Sequence, residues 1–551
     1  MNPWVTAGST LALVGAAALA YAQPVPEAMR IDLAEAAPRS VAFPDITYAP
    51  PPAPPPTAEQ RLMARLEAFA RDVEARRGEA TPAPGGLDAA GLHRAIRAVV
   101  APLERVAAVS VHVRDLASDT VLFDYQGDVP LNPASNNKLL TTSAALHLLG
   151  PDHRFATRVL RAGDDLVVVG EGDPTLDHVA LAALADEIAA RTDLAAVRRI
   201  VVDDAAFSPR RFAPGFSDSE VGLSYQAPSG ALSLDFNTVE ITVAPGPGGA
   251  PTVTLTPPST HLVVDNQATA GRGRLKIRTY ARGEGDDLRT VVEVTGALGR
   301  KARPFKIRRR VSDPGLYTGG ALATLLAERA DAPLLPVVRG RAPGYGDDVK
   351  LVAHRDSAPL TAVAADALAF SNNFMAEQLL RTLGWRITGS PGDWDNGAEV
   401  VLGYWRTLGL DPNALVFENG SGLSDRGRVT TSALVDLIAV AHAVHAEDGG
   451  LVSALPVAGE HGTMRARLRR SGKRVRAKTG TLDGVSGLTG VITAEDGTPQ
   501  VGFSILINVV APRGPAAARR KRAEDRIVMA VLRHIDAWQA GRADAALVAA
   551  K

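Results

Sequence analysis

Residues Leu131 to Gly150 read L-N-P-A-S-N-N-K-L-L-T-T-S-A-A-L-H-L-L-G. Asn132 suits an N-cap, Pro133 the first helical position and Gly150 the C′ position, which predicts a mostly apolar, buried helix. Ser135 and Lys138 are three apart, so both side chains leave one face of its first turn. A hydroxyl there lies among unpaired backbone N–H groups at the positive end of the helix dipole. An amine one turn away can take its proton if burial keeps that amine neutral, which activates a serine without histidine. The same spacing also fits a surface cap followed by a solvated lysine.

Composition sets the frame around this stretch. The chain has 551 residues, of which 46% are hydrophobic, enough for large cores and two or more domains. Sixty Lys and Arg balance sixty Asp and Glu, and the absence of a long basic run argues against nucleic acid as a partner. With no cysteine, disulfides and thiolate metal sites are excluded. Only nine of the sixty basic residues are lysines. Arginine stays protonated, whereas a buried lysine can lose its proton and act as a base, so a retained lysine draws notice.

Residues 1–22 carry an apolar core, Leu11 to Ala20, and end A-Y-A, the pattern of a cleaved export signal, although no Lys or Arg precedes the core. The run is short for a membrane span, so no integral span is expected in the mature chain, and an uncleaved anchor is the alternative. Residues 23–86 read as a proline-rich linker, densest at Pro44 to Pro56, plus an accessory helix. T-A-E-Q at Thr57 to Gln60 is a capping box, and Leu62, Leu66, Phe69 and Val73 follow at helical spacing. The main body begins near Leu87. Val109 to Leu116 and Thr120 to Gln126 predict a strand pair leading into the Ser135 helix. Strand-rich, turn-rich sequence then runs from about Arg154 to Val349, and includes the basic R-P-F-K-I-R-R-R-V at Arg303 to Val311.

From Pro359 the pattern is helical again. Ser371-Asn372-Asn373 interrupts an apolar stretch there, and buried polar groups need partners. R-A-K-T-G-T-L, Arg476 to Leu482, precedes a hairpin turning at Asp496-Gly497, and Ile527, Val531, Leu532 and Ile535 mark a closing helix. Three signals thus fall in one order: S-N-N-K, S-N-N and K-T-G-T. Serine acyl-transfer enzymes that recognise penicillin carry such a set. Neither G-x-S-x-G nor H-E-x-x-H occurs, which disfavours a Ser-His-Asp hydrolase and a zinc peptidase.

Wider segments sharpen the likeness: G-E-G-D-P-T-L, A-P-S-G-A-L-S-L-D-F-N-T-V, S-N-N-F-M-A-E-Q-L-L, N-G-S-G-L-S and L-P-V-A-G-E-H-G-T-M-R-A-R-L. With these the chain resembles the D-alanyl-D-alanine carboxypeptidase/endopeptidase group, the class C low-molecular-mass penicillin-binding proteins, over roughly Leu87 to Trp538. The resemblance implies an α/β, penicillin-recognising, β-lactamase-like domain of helical bundle plus antiparallel sheet, split by a large strand-rich insertion. The catalytic parts would be 87–153 and 350–541, and the insertion 154–349; Ser135 and Ser371 stand 236 positions apart.

It also implies roles. Ser135 would attack the carbonyl of the penultimate D-Ala, with Lys138 as neutral base and Ser371 relaying a proton to the leaving amine. Asn373 would bond the substrate amide and Lys138. Lys478 would attract the terminal carboxylate and disfavour a proton on Lys138. Thr479 would contact that carboxylate, Gly480 completes the motif, and Thr481 would share an oxyanion hole with Ser135. Asp235 either meets a diaminopimelate amine or forms a turn. Arg426 sits one position away from the family's usual arginine, which leaves side-chain preference open. Peptidoglycan peptides and β-lactams are the implied partners, with no metal or cofactor, in the periplasm or cell envelope. The residues give no oligomeric state. The rivals are a β-lactamase, for which Glu418 is the candidate deacylating carboxylate, and a non-catalytic peptidoglycan-binding scaffold.

Overall fold

The computed structural model describes residues 90–549, apart from 217–220, 248, 331–332, 345–347, 445–449 and 513, together with scattered positions between 57 and 71. The expected export signal and the run Pro44–Pro56 lie outside the described residues. At the accessory segment, the Thr57 N–H donates to Gln60 Oε1 (2.8 Å) and the Gln60 N–H to Thr57 Oγ1 (3.2 Å), the reciprocal pair of a capping box. Leu66 is buried in the bundle core against Gly403, where a side chain would collide with its Cδ1.

Helix α1 (Ala90–Val100) buries Leu92, Ile96, Val99 and Val100, a single stripe at helical spacing. Strands β1 (Ala107–Asp115) and β2 (Val121–Tyr125) form the expected pair. Near the other end come β3 (Val475–Leu482), β4 (Val485–Thr493) and β5 (Pro499–Val509). They assemble as one antiparallel sheet in the order β3-β4-β5-β1-β2. β1 therefore pairs along its whole length with the last strand of the chain, Ala107 opposite Val509 and Asp115 opposite Val501.

Strand alternation gives this sheet two different faces. Val109, Val111, Val113, Phe503, Ile505 and Ile507 turn to one side, where α1 and Ile527, Val528 and Val531 of the long C-terminal helix cover them. Val491 and Leu506 turn to the other, into the core of a helical bundle. That bundle contains α2 (Lys138–Leu149), α3 (Leu360–Ala369), α4 (Asn373–Thr388), α5 (Trp394–Thr407) and α6 (Thr431–Val444). In α2 nearly every residue is buried, polar ones included, as the central position of an all-round apolar helix demands.

Between α2 and α3 the chain builds a separate module. Its main sheet has the order Val337–Arg339, Arg199–Asp203, Asp165–Gly170, Ala156–Ala162, Val349–Asp356. The first and last of these in the chain pair antiparallel, Ala156 opposite Asp356 and Ala162 opposite Val349, so entry and exit lie side by side. The Ser357 N–H donates to the Phe155 carbonyl (2.9 Å) and that of Leu360 to His153 (2.8 Å), zipping the junction shut. Strand structure continues through Asp356 and the bundle resumes at Leu360. The module also holds two substantial helices, His178–Arg191 and Pro314–Ala330, where strands and turns were expected. Their alanine-rich runs bury Leu181, Leu184 and Ile188, and Leu316, Leu322 and Leu326, at helical spacing.

Candidate active site

The turn bearing Ser135 departs from the expected α-helical start. Asn132 Oδ1 accepts the Ala134 N–H (2.8 Å), while its own backbone is tied to Asn508 and its amide to the Ser424 carbonyl. Ala134 then takes a left-handed φ of 46°, and residues Ala134–Asn137 form a 3-10 turn before α2 begins at Lys138. Side chains three apart eclipse in a 3-10 turn, which sets Lys138 directly over Ser135. Their Nζ and Oγ are 2.9 Å apart.

Lys138 is wholly buried and has two further partners. Its Nζ donates to Asn373 Oδ1 (2.8 Å) and to the Ser421 carbonyl (2.8 Å). The amide of Asn373 is oriented independently, because its Nδ2 donates to the Tyr225 carbonyl (3.0 Å). Burial lowers the lysine's pKa to about 7, with Glu377 acting in the opposite direction.

Ser371 occupies the turn between α3 and α4 with φ 54°, and Asn372 caps α4 by accepting the Met375 N–H (3.2 Å). Asn373 is thereby the first residue of the helix that faces Lys138. Ser371 Oγ accepts from Lys478 Nζ (2.8 Å), which also donates to the Thr479 carbonyl (2.6 Å). Among the described residues no carboxylate bonds Lys478. Burial first, and the neighbouring Lys138 second, depress its pKa well below the usual lysine value.

Alternation along β3 separates Lys478 and Gly480 from Thr479 and Thr481. A Cβ on Gly480 would stand 2.6 Å from the Pro133 carbonyl and 2.9 Å from Asn136 Nδ2, so strand and turn approach as only glycine permits. Thr479 Oγ1 donates to Thr463 Oγ1 (2.9 Å). Ser135, Ser371, Thr463, Arg467, Thr479, Thr481 and Lys521 line a cleft of about 390 Å³. A larger cavity of about 750 Å³ lies in the inserted module between the ends of its two helices, and none of the residues lining the Ser135 cleft line it.

The structure thus gathers Ser135, Lys138, Ser371, Asn373, Lys478, Thr479, Gly480 and Thr481 around one cleft. Asp235 is placed elsewhere: it sits in a left-handed turn of the inserted module, buried, with its carboxylate 2.9 Å from His178 Nδ1. Glu418 bonds Ser424 and pairs with Arg426 Nε (2.8 Å). Sequence reasoning missed Glu377, whose buried carboxylate accepts from Trp394 Nε1 (2.8 Å), the Gly420 N–H (2.9 Å) and the Ser421 N–H (2.9 Å). Its spacing of four from Asn373 on a helix was the signal that could have found it. Thr463 and Arg467 lay unassigned within G-T-M-R-A-R.

Comparison with known proteins shows the family. Residues 92–530 match the model of the D-Ala-D-Ala carboxypeptidase 3 (S13) family. A D-alanyl-D-alanine carboxypeptidase of Actinomadura sp. (strain R39) is 33% identical over 432 residues, covering 74% of this chain and 79% of the relative. The D-alanyl-D-alanine carboxypeptidase DacB of Haemophilus influenzae is 24% identical over 431 residues, 74% of this chain and 87% of its own. The crystal structure of penicillin-binding protein 4 (dacB) from Haemophilus influenzae superposes with a TM-score of 0.65 at 21% identity, over 79% of this chain and 99% of that one, which shows the shared fold. The chain belongs to the D-Ala-D-Ala carboxypeptidase 3 (S13) family.

Proposed function

We propose that Ser135, Lys138, Ser371, Asn373 and Lys478 carry out the serine-type D-Ala-D-Ala carboxypeptidase reaction of this family member, on peptidoglycan stem peptides and, as endopeptidase, on their cross-links. The observation that carries the proposal is the surroundings of Lys138 Nζ. A neutral amine has two N–H bonds and one lone pair. Asn373 Oδ1 and the Ser421 carbonyl can only accept, so they take both N–H bonds. The lone pair is left facing Ser135 Oγ, where a general base must point.

The steps follow from that geometry. Ser135 attacks the carbonyl carbon of the penultimate D-Ala as Lys138 takes its proton. The oxyanion forms between the backbone N–H groups of Ser135 and Thr481, each worth about 3 kcal/mol in the transition state. Ser371, bonded to Lys478, gives its hydroxyl proton to the leaving amine and takes up the one Lys138 had received, so the terminal D-Ala departs and Lys138 is neutral again. Water then attacks the acyl-enzyme with Lys138 again as base. Lys478 is a buried amine without an anion, and the substrate's terminal carboxylate supplies one beside Thr479 and Thr481. A β-lactam enters the same way, its ring amide taking the place of the peptide bond. Gly480 contributes close approach and no functional group. Asp235 already faces His178, so its part in reading the stem-peptide side chain would require that pair to open.

In this reading the module expected at 154–349 runs on through the strand Val349–Asp356 and lies beside the cleft, and the catalytic unit is residues 87–153 with the chain from Leu360 to 541. The enzyme works outside the cytoplasm, in the periplasm or cell envelope. Support comes from residues 1–22 and from the substrate class; among the described residues no helix is long and apolar enough to cross a membrane. A β-lactamase needs a carboxylate free to activate water over the cleft, and both Glu418 and Glu377 are engaged elsewhere. The test is fluorescent penicillin labelling followed by peptide mapping. The label is expected on Ser135 and lost in Ser135→Ala; a label on any other residue overturns the proposal.

A further inference from the structure

Lys138 is steered by a residue that never touches it. Glu377 lies one turn beyond Asn373 on α4, and its carboxylate grips two successive peptide N–H groups, those of Gly420 and Ser421, with Trp394 Nε1 as third donor. The Ser421 residue so held presents its carbonyl to Lys138 Nζ at 2.8 Å. One helix therefore supplies both fixed acceptors of the amine, Asn373 directly and Ser421 through Glu377. We propose that Glu377 is a positioning residue for the base: it aims the Ser421 carbonyl at Lys138 and places a buried carboxylate behind that carbonyl. This rests on the reading of Lys138 as general base.

The carboxylate is built in rather than incidental. Glu377 is only 1% exposed and spends both oxygens on N–H donors, the pattern that keeps a buried carboxylate charged. Burial raises its pKa and those donors oppose the rise. The charge counteracts the fall that burial imposes on Lys138. Charged or titratable groups on the surrounding elements are otherwise engaged. Lys478 on β3 bonds Ser371, and Arg381 on α4 bonds the Gly392, Ser229 and Ser208 carbonyls. Asp393 before α5 pairs with Arg210, Glu418 with Arg426, and His147 on α2 with Tyr404. Asp366 on α3 is exposed.

The experiment follows the rate of Ser135 acylation by a fluorescent penicillin against pH, in the full chain. Wild type labelled at Ser135 establishes the nucleophile, and loss of acylation in Lys138→Arg establishes the base, both independently of Glu377. Glu377→Gln removes the charge at nearly constant shape. Its acid limb is expected to move down by about one pH unit, because a base beside a lost anion binds its proton less firmly. The plateau should fall at least tenfold, since a carboxamide cannot accept from both peptides. An acid limb left in place or moved upward overturns the proposal, because a purely structural loss lowers the rate without shifting the profile. Should Glu377→Gln not fold, Glu377→Asp decides. It keeps the charge and loses reach, so its plateau falls several-fold with the limb unmoved, and a wild-type plateau overturns the proposal.

Discussion

Replacing Lys138 by methionine tests the state of the base without any substrate. The side chain is wholly buried, and its pKa falls from 10.5 in the unfolded chain to about 7 in the fold. With the folded value below the unfolded one, the unfolded chain holds more protons between these limits, so stability rises with pH there. The lysine's cost is largest below about pH 7 and vanishes above about pH 10.5. At about 1.4 kcal/mol per unit, the full cost is about 5 kcal/mol. It is about 4 kcal/mol at about pH 7.5 and just over 1 kcal/mol at about pH 9.5.

Methionine fills a similar volume and carries no titration. It also leaves Asn373 Oδ1 and the Ser421 carbonyl without their donor, at about 1–3 kcal/mol each. That penalty does not depend on pH, so the slope is the observable and not the offset. Denaturant unfolding of both proteins at about pH 7.5 and about pH 9.5 should show wild type gaining about 2–3 kcal/mol on the variant between the two. Lys478 titrates in both proteins; burial, the first cause of its shift, is common to both, and the part due to Lys138 is present only in wild type and acts in the same direction as the slope sought. Parallel stability curves would mean that Lys138 stays charged in the fold, and the lone-pair argument would fail with it.

The remaining outcomes concern the cleft itself. Lys138→Arg keeps charge but cannot deprotonate, so penicillin acylation should fall by orders of magnitude, while Lys478→Arg, whose task is to present charge, should be the milder change. The reverse ranking in one acylation assay would invert the two roles. Gly480→Ala places a Cβ 2.6 Å from the Pro133 carbonyl, so the Ser135 turn or β3 must shift. Acylation should drop at least tenfold with a stability loss of about 1–3 kcal/mol. Wild-type kinetics in that variant would show that the strand–turn contact is not what sets the nucleophile.

What could be read from the sequence tracks how local each determinant is. Ser135 and Lys138 sit three apart, and that spacing survives whether the turn is α or 3-10; the choice of 3-10 depended on Asn508 and Gly480, hundreds of positions away. The strand pair and the Asp496-Gly497 hairpin were legible because alternation and turn chemistry are local. Glu377 showed in the sequence only its spacing of four from Asn373; its meaning lies in the peptides of Gly420 and Ser421, brought to it by tertiary packing. The helices of the inserted module were passed over because alanine and leucine report a period only when counted. Asp235 had two readings, a diaminopimelate partner or a turn; it lies in a left-handed turn with its carboxylate on His178, a contact from a distant helix that no local pattern announces.

The inserted module is more than a graft on a finished fold. Three residues of α4 reach into it. Asn373 donates to the Tyr225 carbonyl (3.0 Å), Gln378 to that of Gly230 (2.9 Å), and Arg381 to those of Ser229 (2.9 Å) and Ser208 (2.7 Å). Arg381 is fully buried and lies over the rings of Phe207 and Trp394, at 4.6 and 4.5 Å from their centroids. Among the described residues no carboxylate bonds its guanidinium, so backbone carbonyls of the module carry much of the burden of keeping a buried cation hydrogen-bonded. The same helix carries Asn373 and Glu377, eight and four residues before Arg381 along one face, and these two fix the surroundings of Lys138. Taking the module away would strand Gln378 and Arg381 and loosen the element that holds the base. The long interval between Ser135 and Ser371 is therefore part of how the site is fixed, through α4, and any role in choosing substrates comes on top of that mechanical one.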